Sequence, residues 1–387
     1  MTKKRRTSAR PMDWRIAVLL LILVLIISLI QEFEGSDTPS TSIEPTATPM
    51  TGSTAIPNSN LALMMYTNTA ELVYPDVPAE RQPPQFYQAF LADIAAATQS
   101  VDIAVFDLDL PELTEALVAA QQRGVTVRVA FDDENLEDAK VATAIGALED
   151  AGVQVVSDQR EPFMHQKIGV FDETVVWTGS WNMTFNDTYR NNNNMLRIEN
   201  SAMAADYTRE VDQFMAGDFG TRKTGYAPFE TVTLPDGSLD YYFSPKDKSN
   251  ALIVEAINQA QTQVRFMAFS YTDDAIGQAM IAAHERGVSV AGVMERQNVK
   301  GTGSEFAILA DGGVDILADG NCYIMHHKTM IIDDDVVITG SYNFTKSAEQ
   351  SNDENLLIIR SPQLAAQYLA EYDRVRNQAE NPLTCGR

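Results

Sequence analysis

An internal repeat constrains this chain more than any other feature. The segment VDIAVFDLDLPELTEALVAAQQRGVTVRVAF begins at Val101, and VRFMAFSYTDDAIGQAMIAAHERGVSVAGVM begins at Val264. Self-similarity on this scale means two copies of one supersecondary plan. Each copy reads as strand, helix, strand: a β-rich run, apolar residues at i, i+3 and i+4, a glycine (Gly124, Gly287) at the helix end, then a second β-branched run. Each then supplies another helix (about 138–150 and 303–311), a short strand, a polar cassette and a closing helix (about 201–218 and 361–378). Strands alternating with covering helices call for an α/β fold of two pseudo-symmetric α/β/α layered halves. The expected halves are 61–220 and 245–380, joined by roughly 219–247.

Upstream of residue 61 the composition changes. Ile16 to Ile30 (IAVLLLILVLIISLI) is uninterruptedly apolar and follows six cations, Lys3, Lys4, Arg5, Arg6, Arg10 and Arg15, with one acid, Asp13. As a helix this run rises roughly 22 Å, short of the roughly 30 Å hydrocarbon core unless Trp14 and Arg15 reach the interface. No A-x-A-like cleavage site follows it in QEFEGSDTPS, which favours an N-terminal transmembrane helix (residues 1–35, a signal anchor) over a cleaved signal peptide. The expected placement is a single-pass cell-membrane protein with its basic leader in the cytoplasm and the remainder outside, or a secreted one if the segment is cleaved. Residues 36–60, rich in Thr, Ser and Pro, bury nothing and read as a flexible linker with coil dimensions of roughly 25 to 30 Å.

The formal net charge of −24 arises wholly beyond the basic leader. So acidic a surface repels phosphate polymers, which makes nucleic acid the less favoured partner. Cys322 and Cys385 are the only cysteines. An oxidising compartment would permit a disulfide, and the sequence leaves paired and unpaired thiols equally open.

The cassettes carry the chemistry. MHQKIGVFDETVVWTGSWN and MHHKTMIIDDDVVITGSYN share the pattern H-x-K-x4-D-x6-G-S-x-N, from His165 to Asn182 and from His326 to Asn343. In a β-rich run, residues two apart project from one face, which places His165 with Lys167, and His326 with Lys328. Ser180 with Asn182, and Ser341 with Asn343, repeat that spacing. Asp172 and Asp333 fall at the other parity between two β-branched runs and read as hairpin-turn residues outside the site. His327 lies on the strand face opposite His326, and His284 lies on a helix; both read as structural. The acidic triplet Asp333 to Asp335 lacks the clustered ligands of a cation site. Cleaving a phosphodiester requires charge neutralisation, a nucleophile and an acid for the leaving alkoxide, and the two copies supply each of these groups twice.

The duplicated pattern resembles the phospholipase D superfamily, also called the HKD family, over about residues 62–380. The resemblance implies a phosphohistidine mechanism with no metal or cofactor. It implies catalytic roles for His165, Lys167, Asn182, His326, Lys328 and Asn343, substrate contacts from Ser180 and Ser341, and no obligate protein partner. Family members place the nucleophile in the first half, hence His165, with His326 as the acid. They also place a supporting carboxylate after each cassette. Glu354 stands 28 residues after His326, so it is expected to support His326, while Asn193 occupies the equivalent position after His165. A carboxylate raises an imidazole pKa and fixes its tautomer, whereas an amide fixes only the tautomer. Asp187 is the alternative source of support for His165. The implied activity is that of a phospholipase D-type phosphodiesterase; the membrane anchor and the acidic surface favour a phospholipid such as phosphatidylcholine. An endonuclease, which SYNFTKSAEQSNDEN resembles, and a phosphatidyltransferase of the cardiolipin synthase type are the alternatives.

Overall fold

A computed structural model describes residues 61–66, 82–225, 229–382 and 384–385. The basic leader, the apolar run 16–30 and the linker 36–60 lie outside the described residues. Among the described residues no helix is long and apolar enough to cross a membrane.

The first half runs β1 (Leu61–Tyr66), α1 (Gln85–Ala96), β2 (Ser100–Val105), α2 (Pro111–Gln122), β3 (Thr126–Phe131), α3 (Ala139–Asp150) and β4 (Gln154–Ser157). It continues with β5 (Lys167–Phe171), β6 (Val175–Gly179), α4 (Phe185–Tyr189), β7 (Asn194–Glu199) and α5 (Ser201–Met215). The second half opens with β8 (Val232–Leu234) and β9 (Gly237–Ser244), then α6 (Ser249–Gln259), β10 (Gln263–Ala268), α7 (Asp274–Glu285), β11 (Ser289–Met294), α8 (Phe306–Asp311) and β12 (Asp315–Ala318). It closes with β13 (Lys328–Ile332), β14 (Val336–Gly340), α9 (Lys346–Gln350), β15 (Glu354–Arg360) and α10 (Pro362–Glu380).

Each half builds one mixed sheet. The orders are β1-β7-β6-β5-β2-β3-β4 and β12-β11-β10-β13-β14-β15-β9-β8. The crossovers through α2 and α3 make β2, β3 and β4 parallel, and those through α7 and α8 do the same for β10, β11 and β12. The cassette hairpins run antiparallel to them. Strands covered on both faces need continuous apolar runs, and β5 (KIGVF) and β13 (KTMII) are buried throughout.

One face of the first sheet packs on α1, α2 and α3, and the matching face of the second on α6, α7 and α8. The other faces, with α5 and α10, share a single core that includes Ile168, Tyr207, Phe214, Ile331 and Tyr368. The expected α/β layering is therefore present in both halves. The second half begins earlier than the expected residue 245, because β9, within the stretch read as a connection, pairs onto β15 and β8 pairs onto β9. Cys322 and Cys385 form a disulfide that ties the C-terminal tail to the loop before β13.

Candidate active site

Each cassette folds as a hairpin whose lysine begins the first strand. The turns hold Asp172 and Asp333 at φ of 50° and 51°. The Asp172 carboxylate accepts from the backbone N–H groups of Thr98, Gln99 and Ser100, and Asp333 accepts from those of Gln261, Thr262 and Gln263. They are turn residues remote from the cleft, as their parity implies.

The histidines precede the strands, and what positions each comes largely from the other half. His165 N donates to Asp353 O at 2.9 Å, and His326 N donates to Asn192 O at 2.9 Å. The chain entering β15 thereby lies against the first cassette, and the chain entering β7 lies against the second. The consequence corrects the expected pairing. Glu354 Oε2 lies 2.8 Å from His165 Nδ1, not on His326. His326 Nδ1 instead lies 3.0 Å from Asn193 Oδ1 and 3.3 Å from Asp187 Oδ2. Each supporting group serves the histidine of the opposite half. Asp187 is a supporting acid, but for His326 and not for His165.

Asn193 also fixes a proton. Its Nδ2 donates to Asp187 O at 3.1 Å, so its Oδ1 faces His326 as an acceptor, and the imidazole must carry hydrogen on Nδ1. From behind, Asp132 Oδ2 accepts from Met164 N at 2.8 Å and Glu295 Oε2 from Met325 N at 2.7 Å, holding the residue before each histidine.

The histidines, Asn182 and Asn343 line a cleft of about 520 Å³. Both carboxamides keep a buried Oδ1 without a hydrogen-bond partner among the described residues. Lys167 and Lys328 are buried beneath them, each Nζ donating at 2.8 Å to the carbonyl of its own histidine. Phe106 lies 5.4 Å from Lys167 Nζ and Phe269 lies 4.6 Å from Lys328 Nζ. Ser180 and Ser341, expected to touch substrate, are fully buried and do not line the cleft. The Ser180 hydroxyl donates to Asn193 Oδ1 and accepts from Asn194 N; Ser341 Oγ accepts from Asn355 N at 2.9 Å. They position the supporting residues. His327 is buried between Asn194 and Glu371, a structural role.

The family described as "Cardiolipin synthase, PLD-like domain" matches residues 90–215 and 253–376, which is most of both halves. The chain belongs to the phospholipase D superfamily. It is an enzyme of that superfamily's phosphodiesterase class. A phospholipase D of Rickettsia typhi is 32% identical over 156 residues, 37% of this chain and 76% of that protein. One from Rickettsia prowazekii is 36% identical over 130 residues, 34% of this chain and 63% of its own length. The dog mitochondrial cardiolipin hydrolase is 29% identical over 149 residues, 38% of this chain and 59% of its own length. Among solved structures, the phospholipase D family member Nuc from Salmonella typhimurium is 36% identical, covering 37% of this chain and 96% of its own, with a TM-score of 0.36. Phosphatidylserine synthase from Haemophilus influenzae shares the fold over 75% of this chain and 84% of its own, with a TM-score of 0.57 at 15% identity.

The electrostatics of this phospholipase D-like cleft follow from burying four basic side chains together. Burial drives His165 well below its ordinary value, and the charges of Lys167 and Lys328 add to the effect. His326 is pushed down to about 3 by burial and Lys328, against the opposing pull of Asp187. Burial lowers Lys167 to about 8 and, together with Lys167, takes Lys328 well below its usual range. Glu354 is pushed up to about 8 by burial, with Lys167 pulling the other way. Burial also acts to raise Asp187, but His326 and hydrogen bonds from Asn191 and the Asn182 amide win and hold it well below the usual carboxylate range. His326 therefore faces a fixed anion, while His165 shares a proton with Glu354. A phosphodiester anion supplies the negative charge that such a cationic pocket favours.

Proposed function

We propose that the chain hydrolyses a phospholipid, such as phosphatidylcholine, through a phosphohistidine on His165, held to the membrane by an anchor in residues 1–35. The observation that carries the reaction is the meeting of His165 and His326 in one cleft with different supporting groups. With Glu354 ionised and accepting at Nδ1, His165 Nε2 is free of hydrogen and attacks phosphorus, and the carboxylate stabilises the charge developing on the ring. The entering phosphodiester offsets Lys167 and Lys328, which allows His326 to hold a second proton beside Asp187. As the P–O bond to the alcohol breaks, that oxygen takes the proton from His326 Nε2. Water then gives a proton back to His326 and attacks phosphorus, and the N–P bond breaks to release His165. Lys167, Lys328, Asn182 and Asn343 bind the non-bridging oxygens. The names of the Rickettsia and mitochondrial relatives and the acidic surface support a lipid.

A p-nitrophenyl phosphodiester tests the roles, because its leaving group departs without protonation. With the full chain, His326→Ala is expected to release one equivalent of p-nitrophenolate and then stall at the phosphoenzyme, while His165→Ala releases none. A stalled burst in His165→Ala alone would exchange the two roles. Lipid as substrate is tested on phospholipid vesicles beside single-stranded and duplex DNA; turnover of DNA alone overturns it.

A further inference from the structure

The repeat pairs Phe106 with Phe269, and both rings stand against their histidines, at 5.2 Å from His165 and 4.8 Å from His326. The next positions differ: Asp107 in the first half, Ser270 in the second, both lining the cleft. A carboxylate beside a site for a phosphodiester anion works against binding unless the substrate carries a positive group to meet it. Asp107 Oδ1 is buried and has no hydrogen-bond donor among the described residues. Such an unsatisfied oxygen is costly, and its natural partner is a donor brought by a ligand.

We infer that Asp107 is a specificity-determining residue that receives the ammonium of an amine-bearing head group on the leaving arm of the phosphodiester. This rests on the phospholipid reading above and narrows it, away from phosphatidylcholine, whose quaternary ammonium has no N–H, to lipids whose head group carries N–H donors. The field of Asp107 reaches Asp109 and Asp187, and Asp187 is the carboxylate beside His326, which protonates the leaving oxygen. Burial and these two acids push Asp107 up to about 6, with the Leu108 backbone N–H and Lys167 opposing, so above that pH it is an anion awaiting a cation. The same anion repels the flanking phosphates of a nucleic acid strand.

The test compares phosphatidylethanolamine with phosphatidylglycerol vesicles, using the full chain. The wild type is expected to favour phosphatidylethanolamine by about tenfold or more in kcat/KM, the worth of one charge-assisted hydrogen bond. Asp107→Ser, which installs the residue of the second half, should erase that preference while keeping turnover of phosphatidylglycerol. Asp107→Asn, which is isosteric, gives the same comparison with the least disturbance to folding. Equal losses on both lipids, or a wild type without preference, overturn the inference and leave lipid hydrolysis standing. Cleavage of DNA with neither lipid turned over removes both readings.

Discussion

His326 obtains an anion although the repeat lacks a carboxylate where the pattern expects one. Aligned through the cassettes, Asn193 corresponds to Glu354 and Asp187 to Ala348. The first copy thus carries its acid six residues earlier, on α4, and both Asn193 and Asp187 reach His326 Nδ1. Removing the anion with Asp187→Ala is expected to lower kcat on an alkyl phosphodiester by about 10²- to 10⁴-fold, the usual weight of positioned acid–base catalysis, and to slow the p-nitrophenolate burst much less, because that step needs no acid. Adding Asn193→Glu, which copies the Ala348 and Glu354 arrangement of the other half, should recover most of the loss. A double variant no faster than the single one would show that Asp187 acts through structure alone. The exchange was legible in the sequence as a missing acid at 193 and an extra one at 187. Which histidine it serves was not, because no local pattern records a contact between halves.

At the scale of elements, each cassette hairpin is locked to the strand beside it by its turn aspartate. The carboxylates of Asp172 and Asp333 each accept three backbone N–H groups from the chain entering β2 or β10, and both residues adopt positive φ. Partial burial acts to raise both pKa values, but the donors outweigh it and lower them. Replacing either by Ala is expected to cost about 1 to 3 kcal/mol in urea unfolding at neutral pH, from lost bonds to a charged acceptor and strain at positive φ. The sign of the pH effect follows from a depressed folded pKa. The stabilisation is complete above the unfolded value of 3.8 and is lost as pH falls through the folded one, so wild type and variant should converge in acid. A gap independent of pH would mean that the carboxylate charge is not what matters. Period-two parity was enough to read these residues as turns. It could not extend to β9, whose pairing with β15 is a long-range choice made by Leu239, Tyr241 and Phe243 turning into the shared core.

In the whole molecule the site depends on how the halves are strapped together. Lys223, just before the described chain reaches β8, is buried with Glu210 of α5 and lies 2.8 Å from Asp353, the neighbour of Glu354; Arg160 also pairs with Asp353. Lys223→Met would leave the buried Glu210 without its cation and Asp353 with Arg160 alone, and is expected to cost about 3 to 5 kcal/mol by chemical denaturation, with a fall in kcat as Glu354 loses its setting. Unchanged stability would show that the network carries no net energy. The two-copy α/β plan, the cassette chemistry and the turn residues could be read before any coordinates, because each is written in local spacing and side-chain type. It took the packed halves to show that the supports cross, with Glu354 on His165 and Asp187 and Asn193 on His326, that Ser180 and Ser341 stand behind the cleft, and that Cys322 meets Cys385. Those contacts form between segments distant in sequence, and packing two sheets about a common core is what brings them together.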